Sequence, residues 1–304
     1  VTEPRIVDLG AGESVLVRSE AAPVEPPVEP PVEPPVEPPT GNVHRATSNA
    51  EMLALLKRKD LGERPTILVP SGTVLRQFTL TPDHGGVSAS NRTTIKADGA
   101  IIDCGGGNSG IAFNGGKYLD IEGFAFRNGN FTQNGIITFG YSGKPAATKS
   151  VALRRLSHDQ TCVGPARASK GTAEATAHFI YFSQARDGEF HDDLLVEDCV
   201  GHANDRGLAA FLHFYAGSTK LKNVICRRNT AYGYTQAVMA WAGGAENVLI
   251  EDFNGIDCYT VYRLKYGTGR LVRPKSSHPG SGNKTNPLYE KGSGWSIDSV
   301  AGIN

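Results

Sequence analysis

Charged side chains of alternating sign recur down this chain, at Lys96, Glu122, Arg154, Glu197, Arg227, Glu251 and Arg273. Each follows an aliphatic or similarly compact residue: Ile95, Ile121, Leu153, Val196, Cys226, Ile250 and Val272. The surrounding phrases are alike, as in Tyr118-Leu-Asp-Ile-Glu-Gly, Asp193-Leu-Leu-Val-Glu-Asp and Asn247-Val-Leu-Ile-Glu-Asp. Within each phrase, apolar side chains at i and i+2 point one way and the charge points the other, which is the periodicity of a strand. The charges lie 22 to 43 residues apart. A repeat of that length with variable insertions predicts a stacked solenoid whose coils each add a strand to a shared parallel sheet.

With coils about 4.8 Å apart, each cation then falls between two anions. A slip by one coil sets like charges together, so the pattern specifies register while each exposed pair contributes only about 0.2–1 kcal/mol. A second column is read from the following strand of each repeat: Phe113, Phe139, Phe182, Phe211 and Trp241, an interior aromatic stack, with a sugar-stacking platform as the alternative, above all at Trp241, whose neighbours are all small. Ser48-Asn-Ala-Glu51 reads as a capping box, with Met52, Leu53, Leu55 and Leu56 on one helical face, then Gly62 and the strand Thr66-Ile-Leu-Val. Such a helix would cover the open end of a solenoid.

On these residues the stretch from about 41 to 304 resembles the right-handed parallel β-helix of the pectate-lyase-like superfamily. That group includes polysaccharide lyases, polygalacturonases and bacteriophage tailspikes. The resemblance implies an all-β solenoid with a short N-terminal capping helix, and polysaccharide as the class of ligand. Architecture alone does not fix an activity.

Positive and negative charges balance at 31 each, so the chain lacks the basic excess of a nucleic-acid binder. No segment has the apolar length of a membrane span. Val1-Thr-Glu-Pro-Arg has no apolar core behind it, which argues against a secretory signal. The five cysteines, Cys104, Cys162, Cys199, Cys226 and Cys258, show no zinc spacing, and four fall in strand-like phrases, as buried structural thiols do. These features favour synthesis in a reducing cytoplasm. No metal or other cofactor is implied.

Residues 23–38 repeat Pro-Val-Glu-Pro four times, so residues 23–40 read as a polyproline II linker with a rise of about 3.1 Å per residue. Before it, residues 1–22 hold two short alternating strands around Gly10-Ala-Gly12, too little to fold alone. Ile6, Val7, Leu9, Val15, Leu16 and Val17 are candidates for docking this peptide onto a larger assembly; a disordered tail is the alternative.

The longest coil carries an insertion from Gln160 to about Ala177, with His and Asp residues gathered around it. Asp159, Asp192, Asp205 and His202 are its candidate acid–base residues for a glycosidic bond, although Asp, Asn and His are also ordinary turn residues. Polygalacturonases carry Asp-Asp, Gly-His-Gly and Arg-x-Lys in order, and Asp192-Asp193, Gly201-His202 and Arg263-Leu-Lys265 follow it here. The departures are Ala203 for the second glycine, no upstream Asn-x-Asp, and a span from Asp193 to His202 too short for a full coil. Trp241, Tyr262, Arg263 and Lys265 form a candidate patch for binding an acidic glycan.

Three readings follow. In the first, this is a phage-like virion spike or fibre, anchored through residues 1–22 to a virion structural protein. It would stand at the virion surface as a homotrimer and bind host surface polysaccharide. In the second, it is a secreted, extracellular polysaccharide lyase or glycosidase. In the third, it is a structural decoration without sugar recognition.

Overall fold

The computed structural model describes residues 5–8, 14–17, 42–107, 109–130, 135–140, 146–164, 177–183, 185–186, 188–203, 208–215, 220–241, 244–277 and 288–298. The chain divides into two units, 1–40 and 41–304. In the first, Arg5–Asp8 and Ser14–Val17 pair as an antiparallel hairpin, with Ile6 opposite Leu16 and Val7 opposite Val15. Five of the candidate docking residues lie in these strands, whereas Leu9 and the proline repeat lie outside the described residues.

The second unit is a right-handed parallel β-helix. Its described strands form three parallel sheets of ten, eight and eight strands. A coil visits the sheets in order, as in Lys117–Glu122, Ala125–Arg127 and Gly135–Phe139. Two coils later the same path is Phe190–Glu197, Val200–His202 and Leu208–Phe214. The alternation that predicted strands sorts their side chains. Leu119, Val151, Leu194, Val224 and Val248 face inward in one column, and Ile121, Leu153, Val196, Cys226 and Ile250 in the next, all 2 % exposed or less. Each such burial contributes about 1.5–3 kcal/mol, so the core outweighs the surface charges.

Those charges keep the predicted register. Lys96, Glu122, Arg154, Glu197, Arg227 and Glu251 are successive cross-strand neighbours. Arg273 is not the next member, because Val272 stands opposite Glu251 and the inward residue of that last phrase is Leu271. Arg273 belongs instead to an adjacent column in the sharp turn between the first and second sheets, with Gly123, Arg155, Asp198, Arg228 and Asp252. Every one of these residues has a left-handed backbone, from φ 46° at Arg273 to 80° at Gly123. This column also alternates in sign, so oppositely charged doublets stack. Glu197, 6 % exposed, accepts from Arg154 at 3.0 Å, from Arg227 at 2.5 Å and from Arg228. Burial pushes its carboxyl up, but hydrogen bonds from Arg227, Arg228 and Arg154 outweigh that and hold it below the usual carboxylate range.

The aromatic column needs a correction at two places. In register run Leu80, Phe113, Phe139, Phe182, Phe214, Ala240 and Leu264. The four phenylalanines stack with centroids 4.4, 5.0 and 5.0 Å apart. Phe211 lies three residues early and joins a separate interior line of edge-to-face rings with Phe179, Tyr234 and Phe253. Trp241 lies one residue late, past the end of its strand Gln236–Ala240.

One helix, Asn49–Lys57, has Ser48 as N-cap and buries Met52 and Leu56. Glu51 reaches back past the cap to accept from the Thr47 backbone N–H at 2.7 Å. Asn49 gives the end of the second sheet the partner a further strand would supply. Its amide donates to Arg76 O at 2.9 Å and accepts from Arg76 N at 2.8 Å. The five cysteines are free and buried. Burial pushes the Cys199 and Cys258 thiols up to about 12, which leaves them protonated and unreactive.

Candidate functional site

On the third sheet, residues between the inward pairs must point outward. They run from Thr138 through Tyr181, His213 and Met239 to Arg263 on consecutive coils. One step past the strand ends, a second outer column holds Tyr215, Trp241 and Lys265. Their amides bond to Phe182 O at 2.9 Å, Phe214 O at 3.2 Å and Ala240 O at 3.0 Å. The Arg263 guanidinium carbon lies 3.9 Å from the centre of the Trp241 ring, and Lys265 Nζ lies 5.3 Å from it. Lys265 is also 5.3 Å from the ring of Tyr266, itself 45 % exposed. An indole face bearing two cations is suited to a ring ligand that carries carboxylates.

The fold thus brings together Trp241, Arg263 and Lys265 of the sequence-predicted glycan patch. Tyr262 is excluded from it. The pleat that turns Arg263 out turns Tyr262 in, where it is fully buried and its hydroxyl donates to Phe253 O at 2.9 Å.

The candidate acid–base residues are scattered. Asp159 lies in the turn after the second sheet and accepts from the Thr161 N–H at 2.9 Å and its hydroxyl at 2.5 Å. His202, at the end of its second-sheet strand, stacks on Tyr232 with centroids 4.3 Å apart and planes 3° apart. Both border a groove of about 360 Å³ over the second sheet, with Arg127, Ser157 and Val200. Asp192 lies on the first sheet, where Asn223 donates to it at 2.7 Å and Lys222 stands 3.4 Å away. Asp205 is outside the described residues. Gly201, part of the polygalacturonase-like order, serves packing. His158 and Tyr234, from the coils on either side, hydrogen-bond to each other across it, and a Cβ there would come within 2.4 Å of the Tyr234 hydroxyl and 2.7 Å of His158 Nε2. Among the described residues, no group of three or more His, Cys, Asp or Glu side chains is placed to hold a metal ion.

Sequence reasoning did not single out Tyr181, His213 or Tyr215 as site residues. The signal was present in Phe179-Ile-Tyr-Phe and Phe211-Leu-His-Phe-Tyr, once Phe214 takes its place in the aromatic column. Tyr181 and His213 are then the outward residues between two inward ones.

No family model matches the sequence, and no curated protein matches it. Among solved structures, the chain is similar to an alginate lyase from Paenibacillus sp. str. FPU-7, with TM-score 0.39 and 12 % identity over 84 % of this chain and 99 % of that one. It is also similar to ORF18 of Geobacillus virus E2, with TM-score 0.39 and 12 % identity over 77 % of this chain and 54 % of that one. A third is a mannuronic-acid-specific family 6 polysaccharide lyase from human gut microbiota, with TM-score 0.34 and 12 % identity over 82 % and 66 %. At these identities the likeness is one of fold alone.

Proposed function

We propose that this chain is a phage-like virion spike or fibre protein whose β-helix binds an acidic host-surface polysaccharide along the outer face of its third sheet. The observation that carries the reading is the guanidinium of Arg263 3.9 Å from the Trp241 ring centre, with Lys265 beside it. Indole, guanidinium and ammonium together offer a stacking surface and two partners for carboxylates. Tyr215, Trp241 and Lys265 stand on successive coils, which suits a polymer laid along the coil axis. The paired strands Arg5–Asp8 and Ser14–Val17 and the proline-rich sequence after them support the anchoring half of the reading, in which residues 1–22 hold the protein to a particle. Several tethered copies, as in a trimer, would raise avidity for a repeating glycan.

The test of the binding half is affinity electrophoresis of the full chain through gels containing polygalacturonate, alginate or hyaluronate. Retardation by at least one of them is expected. Trp241→Ala and Arg263→Ala should each weaken it about tenfold, the scale of ~1.4 kcal/mol for a desolvated cation–aromatic contact. Migration unchanged by every acidic polymer would refute it. The anchoring half predicts that deleting residues 1–22 abolishes incorporation into particles while glycan binding persists.

A further inference from the structure

On the outer face of the first sheet, a central column is apolar over four coils, at Ala152, Leu195, Ile225 and Leu249, with Asp120 on the coil before and Arg270 on the coil after. The pleat that turns Leu194 and Val196 inward turns Leu195 out. Ile225 is 40 % exposed, and Leu195 and Leu249 beside it are half-buried. Along one side of this stripe stand Arg154, Glu197, Arg227 and Glu251. Along the other, past a left-handed residue in each strand, stand Lys149, Asp192, Lys222 and Glu246. The two flanks alternate in phase, so each coil presents one sign at both edges. An apolar centre ringed by charge is the anatomy of an interface between proteins.

Reversing the order of coils about the point midway between the Leu195 and Ile225 strands exchanges each of these charges for its opposite. Arg154 exchanges with Glu251, Glu197 with Arg227, Lys149 with Glu246 and Asp192 with Lys222. The correspondence continues outward, where Asp120 exchanges with Arg270 and Lys96 with Asp298. Glu122, already paired with Arg155, exchanges with the neutral Val272. The apolar stripe maps onto itself. A two-fold axis lying in the interface along the strand direction performs this reversal between two copies, each contact then occurring twice. An axis along the coils keeps them level instead. It sets Lys149 against the partner's Arg154 and Asp192 against the partner's Glu197, so a trimer of parallel rods has to use another face.

We propose that this face joins two copies of the chain, first sheet against first sheet with their coil axes antiparallel, in a homodimer whose two-fold axis passes between the Leu195 and Ile225 strands. The proposal does not depend on the glycan reading, since the third sheet and its indole patch stay uncovered. Glu197 already holds Arg154 at 3.0 Å and Arg227 at 2.5 Å, and Lys222 stands 3.4 Å from Asp192. Little side-chain freedom therefore remains to be lost on association. Eight coils at about 4.8 Å, by about 15 Å of strand, give roughly 600 Å² per copy, at the lower edge of stable interfaces. Charge order, more than area, selects the arrangement, and that makes association sensitive to salt.

The experiment is sedimentation equilibrium of the full chain at low and high salt, with thiol cross-linking to read the arrangement. A dimer is expected at low salt, at least tenfold weaker at high salt. Ile225→Glu, which sets a carboxylate in the apolar centre twice per dimer, should weaken it about 100-fold or more, with the circular dichroism of the chain unchanged. Thr94 and Ser296 lie in the central column at its two ends, and the reversal exchanges them. Thr94→Cys mixed with Ser296→Cys should therefore cross-link through a short bismaleimide, and neither should link to itself; the five native thiols are buried. These variants and the salt dependence decide the matter even if Ile225→Glu does not fold. A chain that stays monomeric up to about 100 µM at low salt overturns the proposal. So does linkage of Ser296→Cys to itself, which marks parallel rods, or an assembly in which the mixed variants do not link.

Discussion

Gly201 illustrates how a single residue can be fixed by its neighbours on both sides along the stack. His158 Nε2 and the Tyr234 hydroxyl, two coils apart, share a hydrogen bond over it. Any Cβ at Gly201 would sit against both of them and against Phe211 at 2.9 Å. Burial pushes His158 down to about 4, so this imidazole is neutral in the folded protein while the unfolded chain titrates near 6.5. The unfolded state therefore binds the extra proton first. The stability this site contributes is whole above 6.5 and is lost as pH falls toward 4. Tyr234→Phe, which orphans His158 Nε2, should cost about 1–3 kcal/mol in urea unfolding at pH 7. His158→Gln should flatten the pH dependence of stability between 6.5 and 4, and an unchanged slope would contradict the assignment.

At the scale of the element, the turn between the first and second sheets decides what each coil can carry. One left-handed residue swings the chain from one sheet to the next, and asparagine, aspartate or glycine suits it best. Arg155, Arg228 and Arg273 occupy it nevertheless, with φ of 50°, 53° and 46°. Their ion pairs offset the backbone cost, as where Arg228 bonds Asp198 at 2.8 Å and also Glu197. Replacing Arg228 by Ala loses the pairs and keeps the strain; replacing it by Gly loses the pairs and releases the strain. Arg228→Gly should therefore be the more stable of the two by about 1 kcal/mol in chemical denaturation, opposite to the order expected in a strand interior.

The same turn explains where the sequence was readable and where it was not. Ile250-Glu-Asp shows its pleat because a charge follows the inward residue directly. Leu271-Val-Arg hides it, because Val272 is apolar on the outer face and shifted the reading by one residue. Likewise the spacing of seventeen residues from Lys96 to Phe113 and from Glu122 to Phe139 recurs from Glu197 to Phe214, but Phe211 offered a nearer aromatic. The short strands make inside and outside legible by alternation, yet the sequence-predicted glycan patch groups residues by type along Tyr262-Arg-Leu-Lys265, which is why it takes in the inward Tyr262.

For the β-helix as a whole, each coil rests chiefly on the coil before it and the coil after it, so stability accumulates stepwise along the stack. The outer charges are individually weak, about 0.2–1 kcal/mol per pair, yet they are ordered over six coils. Two shortened chains compare their effect directly. Removing residues 155–197 takes out one coil and would place Arg154 beside Arg227; removing residues 155–227 takes out two and places Arg154 beside Glu251. The singly shortened protein, with like charges stacked, should gain melting temperature in high salt relative to the doubly shortened one, whose pairs stay opposite in sign, while the amount of core lost sets which of the two melts lower. An equal response of the two proteins to salt would show that the charge order has no bearing on stability.

Doublets of Arg-Arg and Glu-Asp in strict alternation give this rod a parity. Over the alternating stretch, growth or trimming during descent is tolerated in even steps, since an odd step juxtaposes two guanidinium pairs or two carboxylate pairs. The lengths open to its lineage would then be spaced two rungs apart.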